Sequence, residues 1–368
     1  TLEHVARRFQ RVWLDAKPNW SGRFIHPKKN MPAYGSGICK TSGAAVLRLM
    51  LDGTPAEKMP ALVNVVQWGL DLYQLRRAGM RWPPNGGHDH GRKLVIAFAG
   101  VMLDDEAMQD AAAVADIRDY RKQYQANVYH EDSSVYYSPV ARRVLWGQTM
   151  ANQYWRRLCG GSGSKTARDP YGYIDGGMQP GGSYQRCCNS MTWKGTALAL
   201  HLMPELRRAW DYEPFLDYVD RWVNFGAWTQ PDPYALDCDN PGSKDTDPAD
   251  GIGRFPDRHG ISANQGAWDS AFANAAWDKY RPGQAAPMPH IEPWGGPVAD
   301  GQTVVMSSPH LDGAVVRYTL DGSMPGEDSP VYDEPLTVDA PVVIRARAFK
   351  EDYYPSAANR AVFIENED

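Results

Sequence analysis

Three short stretches of this 368-residue chain, 44–51, 94–103 and 196–203, are apolar on nearly every side. A helix without a polar face has to be buried all round, whereas one with a single apolar stripe lies between core and water. Each of the three is followed by a more amphipathic stretch, at 56–78, 106–114 and 213–225. The pattern predicts inner helices alternating with outer ones. Asp52-Gly53-Thr54-Pro55 supplies the turn of the first hairpin, Thr41 or Ser42 a cap before it, and Asp104-Asp105 a cap within the second. Further helices are expected over 1–13, 144–158, 191–202 with a break at Pro204, and 265–280. Four or five such hairpins imply an incomplete α/α toroid, with an irregular helical bundle as the alternative.

The hydrophobic period changes late in the chain. Residues 284–297 are rich in Pro, Gly and Ala and read as a linker. Beyond them the period is two: 315–320 is a strand, Asp321-Gly322-Ser323 a turn, and 342–349 a strand alternating apolar and basic residues. The expected division is a helical catalytic domain over 1–283, a linker over 284–297 and a small immunoglobulin-like β-sandwich over 298–368. YTLDGSMP (318–325), SPVY (329–332), IRARAF (344–349) and YYPS (353–356) resemble the chitobiase/β-hexosaminidase C-terminal domain. That resemblance implies an accessory module of a secreted carbohydrate-active enzyme. The module carries no catalytic residues in that family and either binds glycan or packs on the helical part as a spacer.

Glycine-containing loops with polar residues precede the inner helices. The loop at 34–40 ends in Lys40. The next, RWPPNGGHDHGRK (81–93), is shaped by prolines that fix φ and glycines that permit positive φ. It delivers His88, Asp89, His90, Arg92 and Lys93 to a helix start, the positive end of the helix dipole. Residues 181–189 bring Arg186 and Asn189, and residues 253–259 bring Asp257, Arg258 and His259. Inner helices running the same way would gather these loops at one mouth, and loops on a rigid scaffold are where sites are built. The plain alternative for 88–93 is a capped helix start with Asp89 paired to an arginine. Tyr136 and Tyr137 precede the expected 144–158 helix, which would turn one of them to the mouth unless both pack a loop.

Charge is divided unevenly. Residues 287–368 hold 5 basic against 14 acidic side chains, and the rest of the chain 34 against 30. A mildly cationic helical part beside an acidic module suits an anionic substrate. No Lys/Arg block interleaved with aromatics argues for nucleic acid, and no apolar run is long enough for a membrane span. The chain starts at Thr1 without a visible signal peptide, as a processed or trimmed product would. Cys39, Cys159, Cys187, Cys188 and Cys238 form no paired CxxC motifs, so no structural zinc is expected. All five fall in expected loops, and one or two disulfides in a secreted or periplasmic monomer are the reading. Asp237-Cys238-Asp239-Asn240, in an Asp-rich run at 232–250, offers oxygens to a structural calcium. It lacks the EF-hand spacing and terminal Glu, so a solvated loop is expected there and no cofactor.

Through its hairpin pattern, the NGGHDHGRK loop and the attached module, the helical part resembles the α/α-toroid polysaccharide lyases and hydrolases that act on uronic-acid glycans. No complete family motif is matched, so the roles below come from chemistry. A lyase neutralises the C5 carboxylate of its acidic polysaccharide and then removes the C5 proton. Arg92, Arg186, Asn189 and His90 suit the first task, His88 the second, and Tyr136 or Tyr137 the leaving oxygen. Lys40, Lys93, Asp257, Arg258 and His259 would line the substrate path. An inverting hydrolase would instead need two carboxyls about 6.5–9.5 Å apart, for which Asp89 and Asp257 are the pair. The expected mouth holds more cations than carboxylates and no Glu. A non-catalytic glycan binder is the third reading, from 13 Trp and 19 Tyr, although many of these Trp sit at helical positions where packing is the default.

Overall fold

The computed structural model describes residues 1–10, 35–82, 87–113, 128–138, 142–146, 189–225 and 269–366. The helices are α1 (Leu2–Phe9), α2 (Gly35–Met50), α3 (Pro55–Arg77), α4 (Lys93–Leu103), α5 (Glu106–Ala112), α6 (His130–Ser134), α7 (Lys194–Leu202), α8 (Pro204–Trp210), α9 (Glu213–Phe225) and α10 (Ala271–Tyr280). A hairpin of β1 (Val135–Ser138) and β2 (Arg143–Trp146) follows α6, and a 3-10 turn, Ser190–Thr192, precedes α7.

Local chemistry accounts for most of these bounds. Thr54 and Glu57 form a capping box ahead of α3, with Pro55 in its first turn. Asp104 closes α4 in the left-handed region, and the Asp105 carboxylate accepts from the Met108 N–H to start α5. Pro204, expected as a break, opens α8 instead, where its missing N–H costs nothing. Helix α2 begins at Gly35, well before the expected caps. The hydroxyls of Thr41 and Ser42 donate back to the Gly37 and Cys39 carbonyls at 2.7 and 3.0 Å, so both sit inside the helix. Lys40 and Cys39 are therefore helical rather than looped. Val144, expected to open a helix, lies in β2 paired with Tyr137. The β-branched and aromatic residues on both strands suit a pleated surface; 147–158 lies outside the described residues.

The helices meet closely. A Cβ on Gly43 of α2 would stand 3.0 Å from the Thr196 backbone nitrogen of α7, so side chains there would push the helices apart. Gly69 of α3 does the same against the Val95 carbonyl of α4. From Leu94 to Ala99, α4 is buried, as its sequence requires. Among the described residues no helix is long and apolar enough to cross a membrane.

The C-terminal part is a two-sheet β domain. One sheet has the order β3-β5-β7 (His290–Glu292, Gln302–Ser307, Leu336–Val338). The other runs β4-β9-β8-β6 (Gly296–Val298, Asn359–Glu365, Val342–Phe349, Val315–Thr319). Ile344 and Ala346 of β8 alternate inward to meet Ile291, Val304, Val316 and Phe363. The outward arginines face the helical part. Arg345 and Arg360, opposite each other in register, both reach the Asp211 carboxylate, at 3.1 and 3.3 Å. The stretch 284–297 is docked as well: Ala286 and Met288 are buried, and the Met288 N–H donates to Asp217 at 2.7 Å. The molecule is thus a helical part followed by a small β domain seated on it.

Candidate functional site

The loop 87–92 lies flat on the start of α2. Gly91 has φ +92°, and a Cβ on it would come 2.5 Å from the Cys39 backbone; one on Gly35 would meet the His88 carbonyl more closely still. Only glycine satisfies both demands. The Ser36 N–H donates to the Gly87 carbonyl at 3.1 Å, and the Gly91 N–H to Glu131 Oε1 at 2.6 Å. Arg92 closes the loop from within, its Nη1 donating to the carbonyls of His88 and His90 at 2.8 and 2.9 Å.

This frame turns His90 into the interior, with no exposed surface. The Trp193 indole donates to His90 Nδ1 at 3.0 Å. An indole N–H cannot accept, so Nδ1 must be the acceptor and a neutral ring carries its proton on Nε2. The His130 ring lies 4.9 Å away, centroid to centroid, tilted by 32°. Burial drives the His130 imidazole down to about 3, helped by the Arg92 guanidinium and opposed by the neighbouring Asn189 side chain. The Asn189 amide favours the charged form of the ring, but burial outweighs it. The His130 ring is therefore neutral at physiological pH. Asn189 itself is buried, as is Asp89, while His88 is half-buried at the edge.

Beneath these rings is a charged layer. Lys93 Nζ donates to Asp132 Oδ2 at 2.7 Å and to the Trp210 carbonyl at 2.6 Å, and lies 4.2 Å from the centroid of the Trp210 ring. Burial pushes Asp132 up to about 7 against the pull of Lys93, and lowers Lys93 in turn. Glu131 is also raised by burial, opposed by the Gly91 N–H. The expectation that Lys93 meets substrate therefore fails: its ammonium is wholly enclosed and its donors are directed to Asp132 and a backbone carbonyl. The Cys39 thiol, free and buried, donates to the Thr192 carbonyl at 3.3 Å, and burial raises it well above the usual thiol range.

The remaining candidates divide. His88, Asp89, His90, Arg92 and Asn189 come together with His130. Lys40 sits half-buried along α2. Tyr137 is buried elsewhere, its hydroxyl 2.9 Å from His290 Nδ1 of the β domain, while His290 Nε2 lies 3.1 Å from Glu292. The Tyr136 side chain, Arg186, Asp257, Arg258, His259, the Asp-rich run 232–250 and the other four cysteines lie outside the described residues. Among the described residues no group of three or more His, Cys, Asp or Glu is arranged to hold a metal ion. Sequence reading overlooked His130-Glu131-Asp132 and took Trp193 as core packing only. Three consecutive polar residues read as surface, and nothing local says that an entire one-turn helix is buried.

The two β sheets and their inward alternation decide the module. Residues 293–359 match the chitobiase/beta-hexosaminidase C-terminal domain. The match starts at the Pro after Glu292 and ends at Asn359, so β3 with His290 and all but the first residue of β9 lie outside it. The β domain supplies Arg345 and Arg360 to the helical part, so it is packed rather than tethered. No curated protein and no solved structure matches the chain.

Proposed function

We propose that the chain cleaves an acidic, uronic-acid-containing polysaccharide by β-elimination, with the helical part forming an incomplete α/α toroid. The observation that carries this reading is the gathering of His88, His90, His130, Arg92 and Asn189 at one spot, with His130 held neutral beside a guanidinium and an amide. The match of the β module to a carbohydrate-associated domain supports the substrate class.

In this reading Arg92 and the Asn189 amide contribute positive field to the sugar carboxylate, which makes the C5 proton removable. His88, at the exposed edge, takes that proton; the C4–O bond breaks as the C4–C5 double bond forms. His90 is a positioning residue, fixed by Trp193. Tyr137 is tied to His290, which leaves Tyr136 as the candidate to protonate the leaving oxygen. A secreted or periplasmic monomer that needs no cofactor goes with this role.

The test is a panel of acidic and neutral polysaccharides. Elimination gives ultraviolet absorbance from an unsaturated uronate, and His88→Ala abolishes it. Reducing ends without that absorbance would favour the Asp89 and Asp257 hydrolase, and binding without product a glycan-binding protein. Either result removes the lyase reading.

A further inference from the structure

A cavity of about 260 Å³ lies between α1, α2 and the start of α10. Its described lining includes His4, Arg8, Lys40 and Arg48, with no carboxylate. Phe9 and Phe272 add aromatic surface. The Arg48 guanidinium carbon lies over the Phe272 ring, 3.6 Å from its centroid. A guanidinium that packs on an aromatic face still presents its N–H fork at its edge, where it can grip a carboxylate with two parallel bonds. Among the described residues Arg48 makes no hydrogen bond or salt bridge that would occupy that fork. Lys40 is within electrostatic reach of Asp269, whose carboxylate accepts from the Ser270 and Gly195 N–H groups at 2.6 and 3.3 Å.

Position matters as much as charge. Lys40 follows Cys39, the residue on which Gly91 of the His88–Arg92 loop rests. The cavity runs along α2 from Lys40 to Arg48, on the helix whose start carries the His88–Arg92 loop. Sites for drug-sized ligands run to about 300–1,000 Å³, so this one has room for a single sugar ring.

We infer that this cavity is a subsite for one acidic sugar residue, its carboxylate held by Arg48 with Lys40 alongside and its ring against the aromatic side chains. The inference rests on the acidic-glycan part of the function proposed above and not on the elimination chemistry.

Calorimetric titration of the full chain with tetrasaccharides of glucuronate, galacturonate and mannuronate tests it, with a neutral glucose tetramer and inorganic sulfate as controls. At least one uronate tetramer is expected to bind. Arg48→Ala should weaken that binding about tenfold or more, the loss of a bidentate charged contact. Arg48→Lys should not restore it, because an ammonium has no fork, and Phe272→Leu should weaken it several-fold. Unchanged thermal midpoints in these variants separate recognition from folding. No binding by any uronate tetramer, wild-type affinity in Arg48→Ala, or equal affinity for sulfate or the neutral tetramer would each overturn the subsite. Arg48-dependent binding with no unsaturated product keeps the subsite and removes the lyase. Product formation with Arg48-independent binding does the reverse.

Discussion

Trp193 donates its indole N–H to His90 Nδ1 across 3.0 Å, and neither side chain has exposed surface. The bond fixes both the orientation of the imidazole and the nitrogen that carries its proton. Trp193→Phe keeps an aromatic ring and deletes the donor. The variant should lose about 1–3 kcal/mol, the cost of an unsatisfied buried acceptor, plus a contribution from the smaller ring. Elimination should slow and its pH–rate profile should move. A change that only loosened packing would lower the melting temperature and leave the profile in place, so measuring both decides whether Trp193 acts through His90.

Lys93 and Asp132 are both wholly enclosed and 2.7 Å apart. Taking two charges from water costs about as much as their attraction returns, but removing one leaves the other stranded. Lys93→Met should therefore destabilise by about 3–5 kcal/mol, and Lys93→Met with Asp132→Leu by clearly less. Chemical denaturation of the two variants is the measurement. Equal losses would mean that the pair does not compensate in this way.

The β domain is held on the helices by carboxylates, which makes its docking acid-sensitive. Glu213 accepts from Arg207 Nε and Nη2 at 2.7 and 2.5 Å and from the Ala358 N–H at 2.8 Å. Burial alone would raise this carboxyl, yet the Arg207 guanidinium overrides it and holds Glu213 down at about 2. Because the folded value lies below the unfolded one, the stabilisation is complete above about pH 4.5 and is lost as pH falls toward 2. It is on the order of 3 kcal/mol. Asp217 and Asp269, which burial pushes up to about 6, act in the opposite sense. Comparing Glu213→Gln with wild type isolates Glu213: the gap in stability should be widest at neutral pH and close in acid. A pH-independent gap would contradict the assignment.

Gly91 carries a different kind of constraint. Its φ of +92° and the Cys39 backbone beside it leave no space for a methyl group. Gly91→Ala should unseat the 87–92 loop and cost several times the roughly 1 kcal/mol of an ordinary glycine replacement. Loss of glycan cleavage should accompany it. A fully stable Gly91→Ala protein would show that the loop has another way to sit.

Much of the fold is written in local patterns. Inner helices show as stretches with no polar face, and the strand 342–349 as strict alternation, because burial selects residues at the period of the backbone itself. The 284–297 stretch has the composition of a linker, yet its fate is set by tertiary partners such as Asp217, which lie far away in sequence. For the same reason Lys93 reads as a substrate contact until Asp132 is seen beneath it. The His88–Arg92 loop was legible because its prolines and glycines bracket a dense polar run. His130 was not, since a histidine inside a polar tripeptide shows no periodicity, and its neighbour His90 is 40 positions away in the chain.

Tyr137 carries the sharpest difference between sequence and structure. A phenol ahead of a helix reads as an acid or base at the mouth, and Tyr137→Phe would then abolish turnover. In the fold the hydroxyl meets His290 at 2.9 Å, and burial with the nearby Arg142 lowers the histidine, so an uncharged imidazole faces the phenol. The bond joins the β1–β2 hairpin to the first strand of the β domain. Tyr137→Phe should cost about 1 kcal/mol, the net worth of a buried neutral hydrogen bond. In a cycle with His290→Leu the two losses should be less than additive, since each removes the same contact. Cleavage of acidic glycan should persist in Tyr137→Phe and depend on His88 as before. Turnover abolished with an unchanged melting temperature would return the phenol to the reacting centre.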